Sequence, residues 1–155
     1  MDIRYCVCDL DGTLLDSRGR LSEANVLALK KLMAQGVRVF LATGRSDLFV
    51  KEFVNRLGLT TPVISCNGGL IRDLDNSEVL FRKVIGEAPA ALLTDFCLEN
   101  RYDTLAYTTE HVYFLSGSQK IGAYHRYNSE VAAAFQVPLR EVHCQTDLPL
   151  PDVIK

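Results

Sequence analysis

Between Ile3 and Cys66 the chain alternates strand-like and helix-like segments with short connections, and this alternation restricts the fold more than any other feature. Ile3 to Cys8 reads as a short buried strand ending at Asp9. Ser22 is placed to cap a helix in which Val26, Leu29, Leu32 and Met33 recur at helical spacing until Gly36. Val37 to Ala42 is a second strand. Ser46 is placed to cap a further helix, with Phe49, Phe53 and Leu57 at i, i+4 and i+8 before Gly58. Pro62 opens a third strand, Val63 to Cys66. The order βαβαβ implies an α/β class: a parallel sheet joined by right-handed crossovers, with helices on its faces.

The rhythm then changes. Asn67-Gly68-Gly69 marks a turn, and Leu70 to Arg72 with Val79 to Phe81 reads as a hairpin. Ala88 to Glu99 is a helix by pattern, and Leu105 to Thr108 with Val112 to Leu115 forms a second hairpin around Glu110-His111. Gln119 to Phe135 is weakly helical, and the tail after Val137 has room for one more strand. These elements suggest an α+β module inserted after the parallel unit, with a division into residues 1–83 and 84–155.

No apolar run approaches the ~20 residues of a spanning helix, and the start lacks the apolar stretch of a signal peptide. The expected location is cytoplasmic. A net charge of −2 gives no reason to expect nucleic acid or an anionic membrane as partner. Cys6, Cys8, Cys66, Cys97 and Cys144 fit neither a disulfide framework nor a zinc pattern; Cys6 and Cys8 share one strand face and read as small hydrophobes.

The chemistry concentrates in Cys8-Asp9-Leu10-Asp11-Gly12-Thr13-Leu14-Leu15. Two carboxylates two residues apart stand where a strand reaches its carboxyl end, the ligand-binding end of open α/β sheets. One can attack phosphorus to form an aspartyl-phosphate. The other can protonate the leaving oxygen and later activate water. Mg2+ would offset the repulsion between these acids and an incoming phosphate. A calcium loop is the competing reading of Asp-x-Asp-Gly, but a loop starting at Asp9 has Thr13 at position 5 and Arg20 at position 12. A solvated surface turn is disfavoured by the hydrophobic strand leading in. The second motif is Leu41-Ala42-Thr43-Gly44-Arg45-Ser46, at another strand end. The Thr43 hydroxyl and the N–H groups after it would be phosphate donors at a helix start, although Thr-Gly-Arg alone is also an ordinary β–α turn.

Together with Cys66-Asn67-Gly68-Gly69, these motifs resemble the haloacid dehalogenase superfamily, and within it the Cof-type branch with an α/β cap after the third strand. The resemblance covers residues 3 to about 83. It implies a Rossmann-like parallel sheet with an inserted α+β cap, Mg2+ as cofactor, and hydrolysis of small sugar-phosphate-like phosphomonoesters. It implies Asp9 as nucleophile and metal ligand, and Asp11 as general acid/base that also gives the metal its main-chain carbonyl. Leu10 (through its N–H), Thr43 and Gly44 would bind phosphate. Asn67 would border the substrate side, and Arg45 is either a phosphate ligand or a surface arginine at a helix start.

The family pattern continues with a phosphate-binding lysine and a Gly-Asp-x-x-x-Asp-type loop. Here the Gly-Asp dipeptide is absent, the aspartates after residue 84 are Asp95, Asp103, Asp147 and Asp152, and the lysines there are Lys120 and Lys155. The resemblance therefore implies a shortened chain: the first part of the core, a partial cap, and a first strand left as a sheet edge open to self-association. A non-catalytic remnant acting as a binding or interaction protein is the rival reading. A receiver-type signalling domain is disfavoured, since Ser65-Cys66-Asn67 carries no carboxylate after the third strand. His111, His125 and His143 show no ligand spacing.

Overall fold

In the computed structural model, which describes residues 3–155, β1 (Tyr5–Cys8) pairs in parallel with β2 (Arg38–Leu41), from Tyr5 opposite Arg38 to Cys8 opposite Leu41. The crossover between them is α1 (Glu23–Ala34), whose first turn is capped by Ser22 Oγ accepting the Asn25 N–H at 3.1 Å. Val26 and Leu29 are buried, and Leu32 and Met33 pack on the same core. After α2 (Lys51–Leu57) comes β3 (Val63–Ser65), which meets β2 through one parallel bridge, Ala42 to Ile64. Then β4 (Leu70–Arg72) turns back antiparallel on β3, and β5 (Val79–Arg82) on β4. The α/β class holds, but the sheet is mixed, because the first hairpin extends it. The chain divides into two compact units, one ending at Arg82 and one running from Lys83 to Lys155.

Two local expectations are corrected. The first strand is not buried: Ile3, Tyr5 and Val7 are each 61% exposed, while Cys6 and Cys8 face the core. Among the described strands β1 pairs with β2 alone, so it is an edge whose outer face is open. Ser46 does not cap a helix either. It opens a single 3-10 turn, Asp47–Phe49, without a side-chain cap bond, and the α-helix starts only at Lys51. The cause is burial. Ser46, Asp47, Leu48 and Val50 all turn inward, and a tight turn accommodates that better than the one-sided stripe of a surface helix. α2 ends where the spacing put it, at Gly58 in the left-handed region with φ 67°.

The core of the first unit gathers Leu10, Val39, Leu41, Val50, Leu57 and Val63, all fully buried. One ion pair of this unit is buried. Asp47, with its side chain 0% exposed, accepts from Arg72 Nη1 at 3.1 Å, tying the turn after β2 to β4. Asp47 Oδ1 and Ser46 Oγ are buried without a hydrogen-bond partner. Burial pushes the Asp47 carboxyl above the usual range, with the Arg72 hydrogen bond opposing it.

In the second unit α3 (Glu87–Glu99) precedes a hairpin of β6 (Leu105–Tyr107) and β7 (Val112–Leu115), α4 (Ile121–Glu130) follows, and β8 (Leu139–Val142) pairs in parallel with β7. Tyr113, Val142 and Leu148 form its buried cluster. The final residues run beside β6, with Tyr107 N–H donating to Lys155 C=O and Ile154 N–H to Tyr107 C=O, both at 2.8 Å. No helix among the described residues is long and apolar enough to cross a membrane.

Arg72→Met removes the counter-charge of a buried carboxylate and is expected to cost on the order of 3–5 kcal/mol at neutral pH. Because the folded pKa of Asp47 is raised, the contribution of its protonated form is present at low pH and lost as pH rises through that pKa. The defect of the variant should therefore shrink on acidification. Urea unfolding of both proteins across the acidic range measures this; a defect that does not vary with pH contradicts it.

Candidate active site

Parallel pairing sets the site. The Ala42 N–H donates to Cys8 C=O at 2.9 Å, so Asp9 leaves β1 beside Ala42, one residue before Thr43. Past Asp9 the chain makes one wide turn, Leu10 to Leu14, closed by Leu15 N–H on Leu10 C=O at 2.9 Å. Gly12, with φ 74°, supplies the left-handed step that a side chain resists. Two anchors hold the turn: Leu10 is fully buried, and Asn25 Nδ2 donates to Leu14 C=O at 2.8 Å. The result leaves Asp9 and Asp11 exposed at the sheet end above a fixed hydrophobic floor.

Asp9 accepts the Leu10 N–H on Oδ1 at 2.7 Å, and its other oxygen makes no hydrogen bond or ion pair among the described residues. The Leu10 N–H, expected to meet phosphate, is thus engaged by its neighbour's carboxylate, with which a phosphate oxygen would compete. Asp11 is gripped at both oxygens by Arg45, Nε to Oδ2 at 2.7 Å and Nη2 to Oδ1 at 2.6 Å. That fork holds Asp11 below the usual carboxylate range, against a smaller opposing effect of burial. Phe49 and Phe53 place their rings 4.7 and 5.9 Å from the guanidinium carbon, fixing its plane. Arg45, whose side chain is 22% exposed, is therefore bound into the site and is not the free surface arginine its position suggested.

Thr43 is buried. Its N–H donates to Ile64 C=O at 2.9 Å, and its hydroxyl oxygen accepts the Arg45 N–H at 3.2 Å, which leaves the hydroxyl proton to donate. The Arg45 N–H is then not the ready phosphate donor expected of it. No helix N-terminus stands behind the loop, since α2 begins several residues later. The third motif closes on the second: Cys66 N–H donates to Arg45 C=O at 2.8 Å, and Asn67 N–H to Thr43 C=O at 3.2 Å. Cys66 and Asn67 both take positive φ, 52° and 56°. Asn67 Oδ1 would lie 2.6 Å from any Cβ placed on Gly44, so these two residues share one tight contact.

The structure thus gathers Asp9, Leu10, Asp11, Thr43, Gly44, Arg45 and Asn67 in one unit. Sequence reasoning missed Phe49 and Phe53 as supports of Arg45, since their i, i+4 spacing signals only a buried face. It missed Asn25 as an anchor as well. Asp9 and Asp11 bring hard oxygen donors of the kind Mg2+ prefers. Among the described residues no three His, Cys, Asp or Glu side chains gather around one point.

A family profile described as haloacid dehalogenase-like hydrolase matches residues 6–142. The chain belongs to this family. Its motifs are those of the Cof-type branch. The 5-amino-6-(5-phospho-D-ribitylamino)uracil phosphatase YwtE of Bacillus subtilis is 31% identical over 104 residues, covering 67% of this chain and 35% of that protein. The pyridoxal phosphate phosphatase YbhA of Escherichia coli is 30% identical over 110 residues, 71% of this chain and 40% of that one. A haloacid dehalogenase-like hydrolase from Bacteroides thetaiotaomicron has the same fold, with TM-score 0.78 at 24% identity over 97% of this chain and 56% of its own. The chain thus spans about two-fifths of these curated relatives and about half of that solved structure.

Two substitutions probe the geometry. Arg45→Ala should move the Asp11 titration upward, toward the ordinary carboxylate range, by removing the fork that lowers it, read by carboxyl-carbon NMR. In the unaltered chain the pair stabilises above the unfolded pKa, and its contribution is lost as pH falls through the lower folded one. Since the Asp11 side chain is 56% exposed, that contribution is about 1 kcal/mol at most. Gly44→Ala should lower the melting temperature by forcing Asn67 aside, and Asn67→Ala in the same chain should restore most of the loss. An unrescued double variant would place the strain elsewhere.

Proposed function

We propose that the unit ending at Arg82 is the phosphoryl-transfer part of a Mg2+-dependent phosphomonoester hydrolase, and that residues 84–155 belong to its α+β cap. The observation carrying this reading is the juxtaposition of Asp9, Asp11, Thr43 and Arg45 at the ends of adjacent parallel strands, in a chain of this family. The unpaired oxygen of Asp9 attacks phosphorus, and the other stays oriented by the Leu10 N–H. Asp11 protonates the leaving oxygen and then draws a proton from water. To hold that first proton Asp11 must escape the fork of Arg45, so an incoming phosphate that attracts the guanidinium also frees the acid. The Thr43 hydroxyl donates to a phosphate oxygen beside the Gly44 main chain, where the lack of a side chain admits Asn67.

Mg2+ would be held by the Asp9 carboxylate and the Asp11 main-chain carbonyl, as the family resemblance implies, which leaves the Asp11 side chain for proton transfer. When bound, it neutralises charge on the phosphate. Small phosphorylated metabolites are the substrate class supported by relatives named for a ribityl phosphate and for pyridoxal phosphate. Neither nucleic acid nor membrane is a partner in this reading. A cytoplasmic setting accords with five free cysteines, and the open edge of β1 offers a surface for self-association.

The test is hydrolysis of a phosphomonoester panel with and without Mg2+. In any form of the protein that turns these over, Asp9→Asn should abolish hydrolysis and Asp11→Asn should cripple it; near-normal hydrolysis by Asp9→Asn rules out the covalent route. The 155 residues alone should stay near background. Arg45 is the cation they bring to the site, and each missing preorganised contact costs ~3 kcal/mol in the barrier. Vigorous Mg2+-dependent hydrolysis by this chain would show that another residue supplies the charge. Binding of phosphorylated compounds with no turnover in any form would favour the non-catalytic reading.

A further inference from the structure

Cys6 and Cys8 occupy alternate positions of β1 and share its inward face, each half-buried. Two residues of extended strand advance about 6.6 Å, yet the two sulfurs stand only 3.5 Å apart, because the side chains lean together. Both thiols are free, and neither has a part in the phosphoryl-transfer scheme. The backbone beneath them is held in register by β2, Cys6 opposite Val39 and Cys8 opposite Leu41.

That rigidity decides which chemistry suits the pair. A direct disulfide needs the sulfurs at about 2.05 Å, with Cα atoms most often about 5.5–6 Å apart, closer than the ~6.6 Å advance of the extended strand. Closing it would buckle β1 against its ladder with β2. A single soft atom bonded to both sulfurs leaves them near their present separation and the strand straight. We propose that Cys6 and Cys8 form a dithiol site for thiophilic electrophiles that demand two sulfurs, of the class of trivalent organoarsenicals. The condensation is balanced without an oxidant. In R–As(OH)2 two As–O bonds break and two As–S bonds form, each thiol proton leaves with a hydroxide as water, and arsenic stays trivalent. Since the protons depart in the product water, no standing thiolate is required. The site lies one residue before Asp9, so its occupant would sit behind the phosphoryl-transfer loop while leaving Asp9 itself unmodified.

The experiment titrates the 155-residue protein with phenylarsine oxide and reads stoichiometry by native mass spectrometry and by loss of free thiols. One arsenical per chain is expected, with two thiols consumed, released by dithiothreitol but not by an equal concentration of a monothiol. Cys6→Ser and Cys8→Ser should each weaken binding by about a hundredfold or more, the loss that follows when the second attachment within one molecule is removed. Cys97→Ser and Cys144→Ser should bind as the unaltered chain does. Because a change in β1 can disturb folding, the loaded unaltered protein is also alkylated and mapped, with Cys6 and Cys8 expected as the protected pair. Full-strength binding by a folded Cys6→Ser protein, protection of any other pair, or attachment through one thiol each overturns the assignment.

Discussion

The parallel pairing of β1 with β2 governs everything at the candidate site. Its last rung, the Ala42 N–H on Cys8 C=O, brings two sequence-distant turns out of the sheet side by side. The Asp11–Arg45 fork is possible only in that register. A slip by one residue would turn Cys6 and Cys8 outward and Tyr5 and Val7 into the core, since side chains alternate along a strand. The fully buried Leu10, in the turn after β1, and Leu41, in β2, oppose such a slip.

Much of this was legible from local patterns. The Ser22 cap, the Gly58 stop and the strand before Asp9 each depend on one or two residues with strong backbone or capping preferences. Asp9, Asp11 and Thr43 could be named because the chemistry needs those groups at strand ends. What was not legible depends on partners distant in sequence. Ser46 has the composition of a cap, yet the burial of Asp47 against Arg72, 25 residues on, converts the helix start into a tight turn. Arg45 looked like a surface residue because nothing local announces that Asp11, 34 residues before it, will meet both arms of its guanidinium. The exposure of Ile3, Tyr5 and Val7 escaped notice for a similar reason: an apolar strand reads as buried whether or not a neighbour covers it.

The main donors of the site are already paired with carboxylates or hydroxyl oxygen. Asp9 holds the Leu10 N–H, Asp11 holds Arg45, and Thr43 holds the Arg45 N–H. The Leu10 N–H and the Arg45 guanidinium, two donors that would meet a phosphate, already have carboxylate partners. An anion therefore enters by exchange, replacing carboxylate at the donors, so affinity reflects the difference between phosphate and carboxylate as acceptors more than the bare strength of either. That same exchange couples binding to the release of Asp11.

The buried Asp47–Arg72 pair ties the turn after β2 to β4 in a way that also constrains the history of the chain. Either residue lost alone leaves a charge in a place built for two. Apolar replacement of both at once removes that difficulty, but it requires two independent changes, the first of them harmful. Among descendants of this sequence the two positions should therefore remain charged together or change together, and a single-residue drift at either one should be rare compared with drift at the exposed positions of β5.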